Sequence, residues 1–243
     1  MIEQNQSSTF TEQIKPPFNQ EIITLYDPKY SVMFDQVPLN VIEELGKGIS
    51  TVKQNQDPKL RINGELAGAI DDEFPFPESP LLHNYIKELF NTYCEKTNGD
   101  YIKGIKGLLS RSTIIQNKKI KISNEDIWVN FQKKHEYNPP HSHSGLLSWV
   151  IWYDIPYDIE TERKNGPAYN PSDRKPHGQF SFFTPGPIGI GNNSTIEGWG
   201  LDVDYKWNGI IALFPSNLSH AVFPFYHSDK ERITVAGNIN LNL

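Results

Sequence analysis

The stretch Asn138-Pro139-Pro140-His141-Ser142-His143-Ser144-Gly145, followed by the apolar-rich run 146–155, decides how this chain is interpreted. Two prolines restrict the backbone directly before two histidines that are spaced i, i+2. In an extended chain this spacing puts both imidazole rings on one face, about 6.6 Å apart at ~3.3 Å per residue. Two neutral imidazoles on one face can bind a single metal ion. A solvated turn explains the same residues equally well, so other parts of the chain must decide between the two.

The composition indicates a globular protein with a sizeable core. The chain has 243 residues, 12% of them aromatic, and a net charge of −6. That charge argues against nucleic acid as the main partner, because binding to a phosphate backbone needs a basic surface. The single cysteine, Cys94, cannot form an internal disulfide. Without a signal peptide or a run of 18 apolar residues, the sequence predicts a cytoplasmic protein that does not enter the membrane.

The hydrophobic period changes from 3.6 to 2 at about residue 105. Before that point, two amphipathic helices are predicted, opening near Pro38 and Pro80. After it, alternating segments predict strands at 127–132, 146–155, 179–184, 210–214, 220–222 and 232–241. Helices followed by many short strands predict an α+β, mainly β fold, in which supporting helices pack on an antiparallel double sheet. This is the double-stranded β-helix, or jelly roll, of cupin-like proteins.

We expect residues 1–243 to form one domain. Within it, the polar, glutamine- and serine-rich segment 1–21 is predicted as a loose N-terminal arm. Residues 22–105 supply strands and the supporting helices, and residues 106–243 form the jelly-roll core. Proline and glycine punctuation predicts loops at 54–79, 157–178 and 185–200.

A third histidine, His220, follows a predicted turn, and Arg232 begins the last predicted strand. On that strand Arg232 shares one face with Thr234 and Asn238. A charge inside a barrel is costly unless an anion pairs with it. An inward Arg232 therefore predicts a bound carboxylate held in bidentate geometry.

The alternative for Arg232 is an ordinary surface ion pair. Asp229 and Glu231 are close enough along the chain to provide the carboxylate. The sequence leaves both interpretations open.

Two blocks of sequence resemble the Fe(II)/2-oxoglutarate-dependent oxygenases. The first block contains Trp128-Val129-Asn130, Asn138-Pro139-Pro140-His141-Ser142-His143-Ser144-Gly145 and Ser148-Trp149-Val150-Ile151-Trp152. The second contains Leu213-Phe214-Pro215-Ser216, His220-Ala221-Val222 and Glu231-Arg232-Ile233-Thr234-Val235-Ala236-Gly237-Asn238-Ile239. Together they cover roughly residues 125–241 and resemble oxygenases of tailed phages and marine bacteria that are related to prolyl hydroxylases. Such an origin would place the protein in the cytoplasm of a host cell.

The resemblance implies a set of cofactors and roles for particular residues. His141, His143 and His220 correspond to ligands of Fe(II), with O2 as cosubstrate. Arg232 corresponds to the partner of the far carboxylate of 2-oxoglutarate. The residues expected to line the same cosubstrate site are Asn130, Thr234 and Asn238.

The chain departs from the family pattern at His143, where a carboxylate is usual. Three histidines in place of a 2-His-1-carboxylate set resemble the sites of thiol dioxygenases or His₃ zinc enzymes. We expect hydroxylation of a small molecule or a protein side chain, with release of succinate and CO2. A non-catalytic cupin-like binding module is the alternative, which a blocked barrel would favour.

Overall fold

The structure, a computed structural model, describes residues 14–25, 27–62, 64, 68–98, 121–123, 126–167, 176–185 and 196–242. Three helices are present in this part of the chain: α1 (Leu39–Gln54), α2 (Pro80–Lys96) and α3 (Ile159–Asn165). The strands are β1 (Glu21–Thr24), β2 (Ser31–Gln36), β3 (Glu73–Pro75), β4 (Lys121–Ser123), β5 (Ile127–Gln132), β6 (Asn138–His141), β7 (Leu147–Asp154), β8 (Phe180–Pro185), β9 (Ile196–Leu201), β10 (Ile210–Pro215), β11 (Ser219–Val222) and β12 (Arg232–Asn242).

The strands form two antiparallel sheets. The order in the first sheet is β1-β2-β10-β7-β12-β5-β3, with β4 also paired to β12, and the order in the second is β6-β11-β8-β9. The pairs are nested: β8 with β9, β7 with β10, β6 with β11 and β5 with β12. This nesting defines a jelly roll, so the predicted fold is confirmed.

The two faces of the first sheet bury two separate cores. The outer face packs against α1 and α2, whose apolar positions recur every three or four residues, as at Val41, Leu45 and Ile49 in α1. The inner face meets the second sheet through aromatic side chains such as Trp152 and Phe214. Burying each such large apolar side chain stabilises the fold by about 1.5–3 kcal/mol. The helices therefore support one face and leave the other free to line a cavity.

Four strands lie outside the predicted ones, and each is paired on one side only. β3 and β9 lie in segments predicted as loops, β4 pairs only with β12, and β6 runs through Pro139 and Pro140. Proline and glycine are tolerated at sheet edges because an edge strand leaves backbone groups unpaired. The helix α3 was also predicted as loop; Asp158 caps it by accepting a hydrogen bond from the backbone N–H of Thr161 at 3.0 Å.

The predicted loose arm is wrong for the residues that the structure describes. Ile14 and Phe18 are buried, and the Phe18 ring stacks on Phe34 with centroids 5.1 Å apart. The hydrophobic residues of this segment thus belong to the inner core. Residues 1–13 of the arm, and 99–120, 168–175 and 186–195 of the later predicted segments, lie outside the described residues. None of the described helices is long and apolar enough to cross a bilayer.

Candidate metal centre and its cavity

The register of two neighbouring strands positions the first and last of the three histidines. His141 ends β6, His220 lies in β11, and the two are directly opposite each other in the antiparallel pair. The Cβ atoms of opposed residues are about 4.5–5.5 Å apart, so register alone brings these rings together. His143 lies just beyond β6, where its backbone N–H donates to the carbonyl oxygen of Ser216 at 2.8 Å. That bond holds the third ring beside the other two.

The three rings surround a common point. Their centroids are 4.3 Å apart for His141 and His220, 5.0 Å for His141 and His143, and 5.1 Å for His143 and His220. One possible ligand atom of each ring lies within 4.8 Å of the other two. Three nitrogens bound to one tetrahedral metal ion at 2.0–2.1 Å lie about 3.3–3.4 Å apart. The rings must therefore move closer together for all three to bind one ion.

Hydrogen bonds from two of the rings leave the nitrogen suited to metal binding free of a proton. Nδ1 of His141 lies 2.7 Å from the carbonyl oxygen of Pro139, and Nδ1 of His220 lies 3.1 Å from that of Leu218. A carbonyl oxygen only accepts hydrogen bonds, so Nδ1 carries the proton in both rings. Nε2 then has a free lone pair, which is the usual arrangement of a metal-binding histidine.

Burial keeps these rings neutral. It lowers the pKa of His141, and together with the neighbouring His141 it lowers the pKa of His143 to about 4. Burial lowers the pKa of His220 well below its usual range, with the other two histidines acting in the same direction. The Phe180 ring stacks on that of His220, which contributes to the loss of solvation. Neutral imidazole is the form that binds metal.

The histidines line a cavity between the two sheets. About 50 Å³ of it is open to the centres of water-sized molecules, which is room for a few waters. Its walls are largely aromatic, including Trp128, Trp152, Phe180 and Phe214. Polar side chains other than the histidines come from both sheets: Glu73, Asn130, Gln132, Asn138, Ser148, Arg232 and Thr234.

The inner face of the first sheet arranges its polar residues in rows across the strands. Arg232 and Gln132 are opposite each other in one row. Two residues further along, the second row consists of Glu73, Asn130 and Thr234. The third row contains Trp128, whose ring centroid lies 5.7 Å from that of His143. The first and third rows are about 13 Å apart along the strand at ~3.3 Å per residue, so the cavity has an arginine end and a histidine end.

Arg232 is 2% exposed, and all five of its N–H hydrogens have acceptors. Nε and Nη2 both donate to Oε1 of Gln132, at 2.9 and 2.5 Å. Nη1 donates to Tyr157 Oη at 2.6 Å and to the Gly178 carbonyl oxygen at 3.0 Å, and Nη2 also donates to the Phe223 carbonyl oxygen at 3.1 Å. Every acceptor is neutral.

The ion pairs among the described residues leave this charge without a carboxylate. The two alternative partners are bound elsewhere: Asp229 to Lys134 at 2.5 Å and Glu231 to Lys53 at 2.7 Å. Arg232 therefore does not form the surface ion pair that was the alternative to an inward position. It is a buried positive charge that a bound anion would balance.

The structure brings all but one of the expected site residues to the cavity. Asn130 and Thr234 line it, and Nδ2 of Asn130 donates to Thr234 Oγ1 at 3.0 Å. Asn238 is not among the lining residues, and its Oδ1 accepts a hydrogen bond from Ser148 Oγ at 2.7 Å. Ser148 is directly opposite Asn238 across β7 and β12 and does line the cavity, so the contact of Asn238 with a cosubstrate stays a prediction.

Four polar residues of the cavity were not predicted as site residues from the sequence: Glu73, Gln132, Asn138 and Ser148. Gln132 occupies the next inward position after Asn130 on β5, so the period-2 pattern could have indicated it. Glu73 lies in a segment predicted as loop, and no local pattern identifies it. Only the pairing of β3 with β5 brings Glu73 opposite Asn130.

One protein family is similar to the part of the chain that contains the histidines and Arg232. Residues 126–238 match the model of a protein family described as "Putative 2OG-Fe(II) oxygenase". A prolyl-4-hydroxylase from Pseudomonas putida aligns at a TM-score of 0.46 and 9% identity, over 87% of this chain and 93% of that one. An oxidoreductase of the 2OG-Fe(II) oxygenase family from Burkholderia pseudomallei aligns at a TM-score of 0.35 and 10% identity, over 95% and 75% of the two chains. No curated protein sequence matches the chain.

The nested strand pairing by itself establishes the fold. The family match covers the part of the chain that contains the candidate metal ligands and the buried arginine. It covers a little under half of the sequence and includes all three histidines and Arg232. The segment 126–238, which builds both ends of the cavity, thus matches the 2OG-Fe(II) oxygenase family, whose enzymes use Fe(II), 2-oxoglutarate and O2.

Proposed function

We propose that the protein is a dioxygenase that hydroxylates a C–H bond of its substrate and converts 2-oxoglutarate and O2 to succinate and CO2. One observation carries the proposal: three neutral imidazoles and a buried arginine charge without a carboxylate partner line the same cavity. In the balanced reaction, one atom of O2 enters the new hydroxyl group and the other enters succinate.

The residues present fit an iron ion. His141, His143 and His220 would hold it through three neutral nitrogens, which suit Fe(II) as well as Zn(II). With 2-oxoglutarate and O2, a bound Fe(II) supplies the oxidising chemistry, which belongs to the cofactors rather than to the side chains. Three protein ligands leave coordination positions open for small molecules. The protein contributes the fixed tautomers and an aromatic wall that limits access of water.

The arginine end fits the far carboxylate of 2-oxoglutarate. A carboxylate that bridged Nε and Nη2 of Arg232 would replace one neutral oxygen, that of Gln132, by two charged ones. The Gln132 side chain would have to move aside, while Tyr157 and the backbone carbonyls could keep Nη1 in place. Arg232 would therefore position the cosubstrate after the carboxylate has replaced Gln132 Oε1 as the acceptor.

The direct test is metal content combined with product analysis. We expect protein loaded anaerobically with Fe(II) to retain about one iron per chain after desalting and to release succinate from 2-oxoglutarate when O2 is admitted. A protein that binds no iron, or that binds iron but neither binds nor consumes 2-oxoglutarate, would contradict the proposal.

A non-catalytic cupin-like module is the competing function. The observation that favours it is the filled fork of Arg232, since Gln132 occupies the place of the carboxylate. The open space in the cavity and the three converging rings favour the enzyme. A measurement of 2-oxoglutarate affinity separates the two functions, because a module in which Gln132 keeps filling the Arg232 fork would not bind 2-oxoglutarate.

A further inference from the structure

Glu73 places a carboxyl group in the cavity that the proposed reaction does not use. Its side chain is 2% exposed and lines the same cavity as the histidines. The carboxyl is hydrogen-bonded to the side chain of Asn138, but its Oε1 is buried and has no hydrogen-bond partner among the described residues. A buried polar atom left without a partner is unfavourable, so a ligand that satisfies it gains binding energy.

Among the described residues, no lysine or arginine forms an ion pair with this carboxyl. The acidic residue before it, Asp72, points to the other face of β3, where it pairs with Arg61 and Lys133 at 2.6 Å each. Burial, and then the charge of Glu136, raise the pKa of Glu73 to about 8. A cation bound beside Glu73 would lower this pKa again.

A second acceptor lies beside Glu73. Asn130 is directly opposite Glu73 across β3 and β5. Its Nδ2 donates to Thr234, and its Oδ1 is buried without a partner among the described residues. Asn130 Oδ1 and the ionised carboxylate of Glu73 are two acceptors on one row, which suit a group that carries more than one N–H. 2-Oxoglutarate does not satisfy them, because its carboxylates and keto group offer acceptors only.

We infer that Glu73 and Asn130 form the subsite for a protonated amine of the primary substrate. The inference rests on the proposed function in that it assigns a part of the substrate of that reaction. An ammonium group is close in size to a water molecule and carries three N–H donors, so it fits a cavity with room for a few waters. It would place a positive charge against Glu73 in a site that excludes bulk water.

The position of the subsite also constrains the rest of the substrate. The Glu73 row lies one row, about 6.6 Å, from the row of Trp128 beside His143. An aliphatic amine anchored at Glu73 therefore extends several bonds from its nitrogen before it reaches the histidine end. The substrate class is a saturated amine that is oxidised at a carbon distant from the nitrogen.

The test compares matched ligands and matched variants. Calorimetry on the full chain, loaded with Fe(II) and 2-oxoglutarate without O2, measures binding of n-butylammonium and of n-butanol, which has the same chain length without the charge. We expect n-butylammonium to bind the wild type and to bind Glu73→Gln at least ten-fold more weakly, with n-butanol binding neither. Glu78→Gln removes an exposed carboxylate on the same segment and should bind n-butylammonium like the wild type.

Two results would overturn the inference. Equal n-butylammonium affinity in wild type and Glu73→Gln, including no binding to either, would make Glu73 a structural acid. A 2-oxoglutarate affinity that falls in Glu73→Leu but not in Glu73→Gln would make it a hydrogen-bond donor to the cosubstrate. If Glu73→Gln fails to fold, ¹³C NMR of the wild type still decides, because the pKa of Glu73 must fall when n-butylammonium is added.

The same measurements separate this inference from the proposed function. Binding of n-butylammonium to protein that takes up neither iron nor 2-oxoglutarate would contradict the oxygenase proposal and leave the subsite standing. The amine can come from a free metabolite or from a lysine side chain of a polypeptide. Tighter binding of an acetylated Gly-Gly-Lys-Gly-Gly amide than of n-butylammonium indicates the polypeptide, and the reverse indicates the free amine.

Discussion

The two ends of the cavity are prepared for their ligands to different degrees. At the histidine end, strand register and two carbonyl acceptors fix the rings with their Nε2 atoms free. At the arginine end, every N–H of Arg232 already has a neutral partner. A metal therefore needs the three rings to move closer together, whereas an anion must displace an existing contact. Metal binding and cosubstrate binding should then respond to different residues.

The most damaging change to the histidine end is His220→Ala. It removes a buried ligand. The gap that it leaves is lined by Phe180 and Phe214, whose side chains cannot bind metal. We expect metal affinity to fall at least 100-fold, measured by calorimetry with Fe(II) under anaerobic conditions. His83→Ala, on the distant helix α2, is the matched control and should keep full metal binding. If His220→Ala kept the metal affinity of the wild type, the histidine end would not be the metal site.

At the arginine end, the largest effect is expected from Gln132→Glu. This variant puts a permanent carboxylate in the fork between Nε and Nη2, where it pairs with Arg232 and competes with 2-oxoglutarate. We expect 2-oxoglutarate affinity to fall by about 30- to 100-fold while metal affinity stays within two-fold.

Gln132→Met is the matched control for that variant, because it keeps the side-chain length and frees the fork. Its 2-oxoglutarate affinity should equal or exceed that of the wild type. Its thermal stability should fall, since the hydrogen bond from Gln132 Nε2 to the Glu136 carbonyl oxygen and the two that Arg232 donates to Gln132 Oε1 are lost. Unchanged 2-oxoglutarate affinity in Gln132→Glu would mean that the cosubstrate does not use this fork.

A smaller loss is expected for Arg232→Lys, which keeps the charge and removes the planar fork. A lysine ammonium cannot hold a carboxylate with two parallel bonds, so we expect about ten-fold weaker 2-oxoglutarate binding and unchanged metal binding. Equal cosubstrate affinity in the variant and the wild type, measured by calorimetry, would remove Arg232 from the site.

The sequence predicted the histidine end better than the arginine end, for a physical reason. His141 and His143 stand next to each other in one extended segment, and the alternating strands around them indicated a jelly roll. The fork of Arg232 is filled by Gln132 from another strand, 100 residues away along the chain. Glu73 was missed because the short edge strand β3 carries no alternation. Long-range pairing decides both the filling of the fork and the position of Glu73.

The smallest effect is expected for His143→Asp. This variant should still bind metal at the histidine end, and it should change the affinity for 2-oxoglutarate only through its charge. An aspartate at this position restores the usual 2-His-1-carboxylate set, so we expect iron affinity close to that of the wild type and well above that of His143→Ala. The carboxylate lowers the net charge of the metal site by one unit. Charge–charge interactions over several ångströms at a partly buried site are worth on the order of 1 kcal/mol, so anionic 2-oxoglutarate should bind His143→Asp only about three- to ten-fold more weakly. Calorimetry on the three proteins measures both affinities. If His143→Asp binds iron no better than His143→Ala, position 143 does not ligate the metal, and the site consists of His141 and His220 with a ligand from elsewhere.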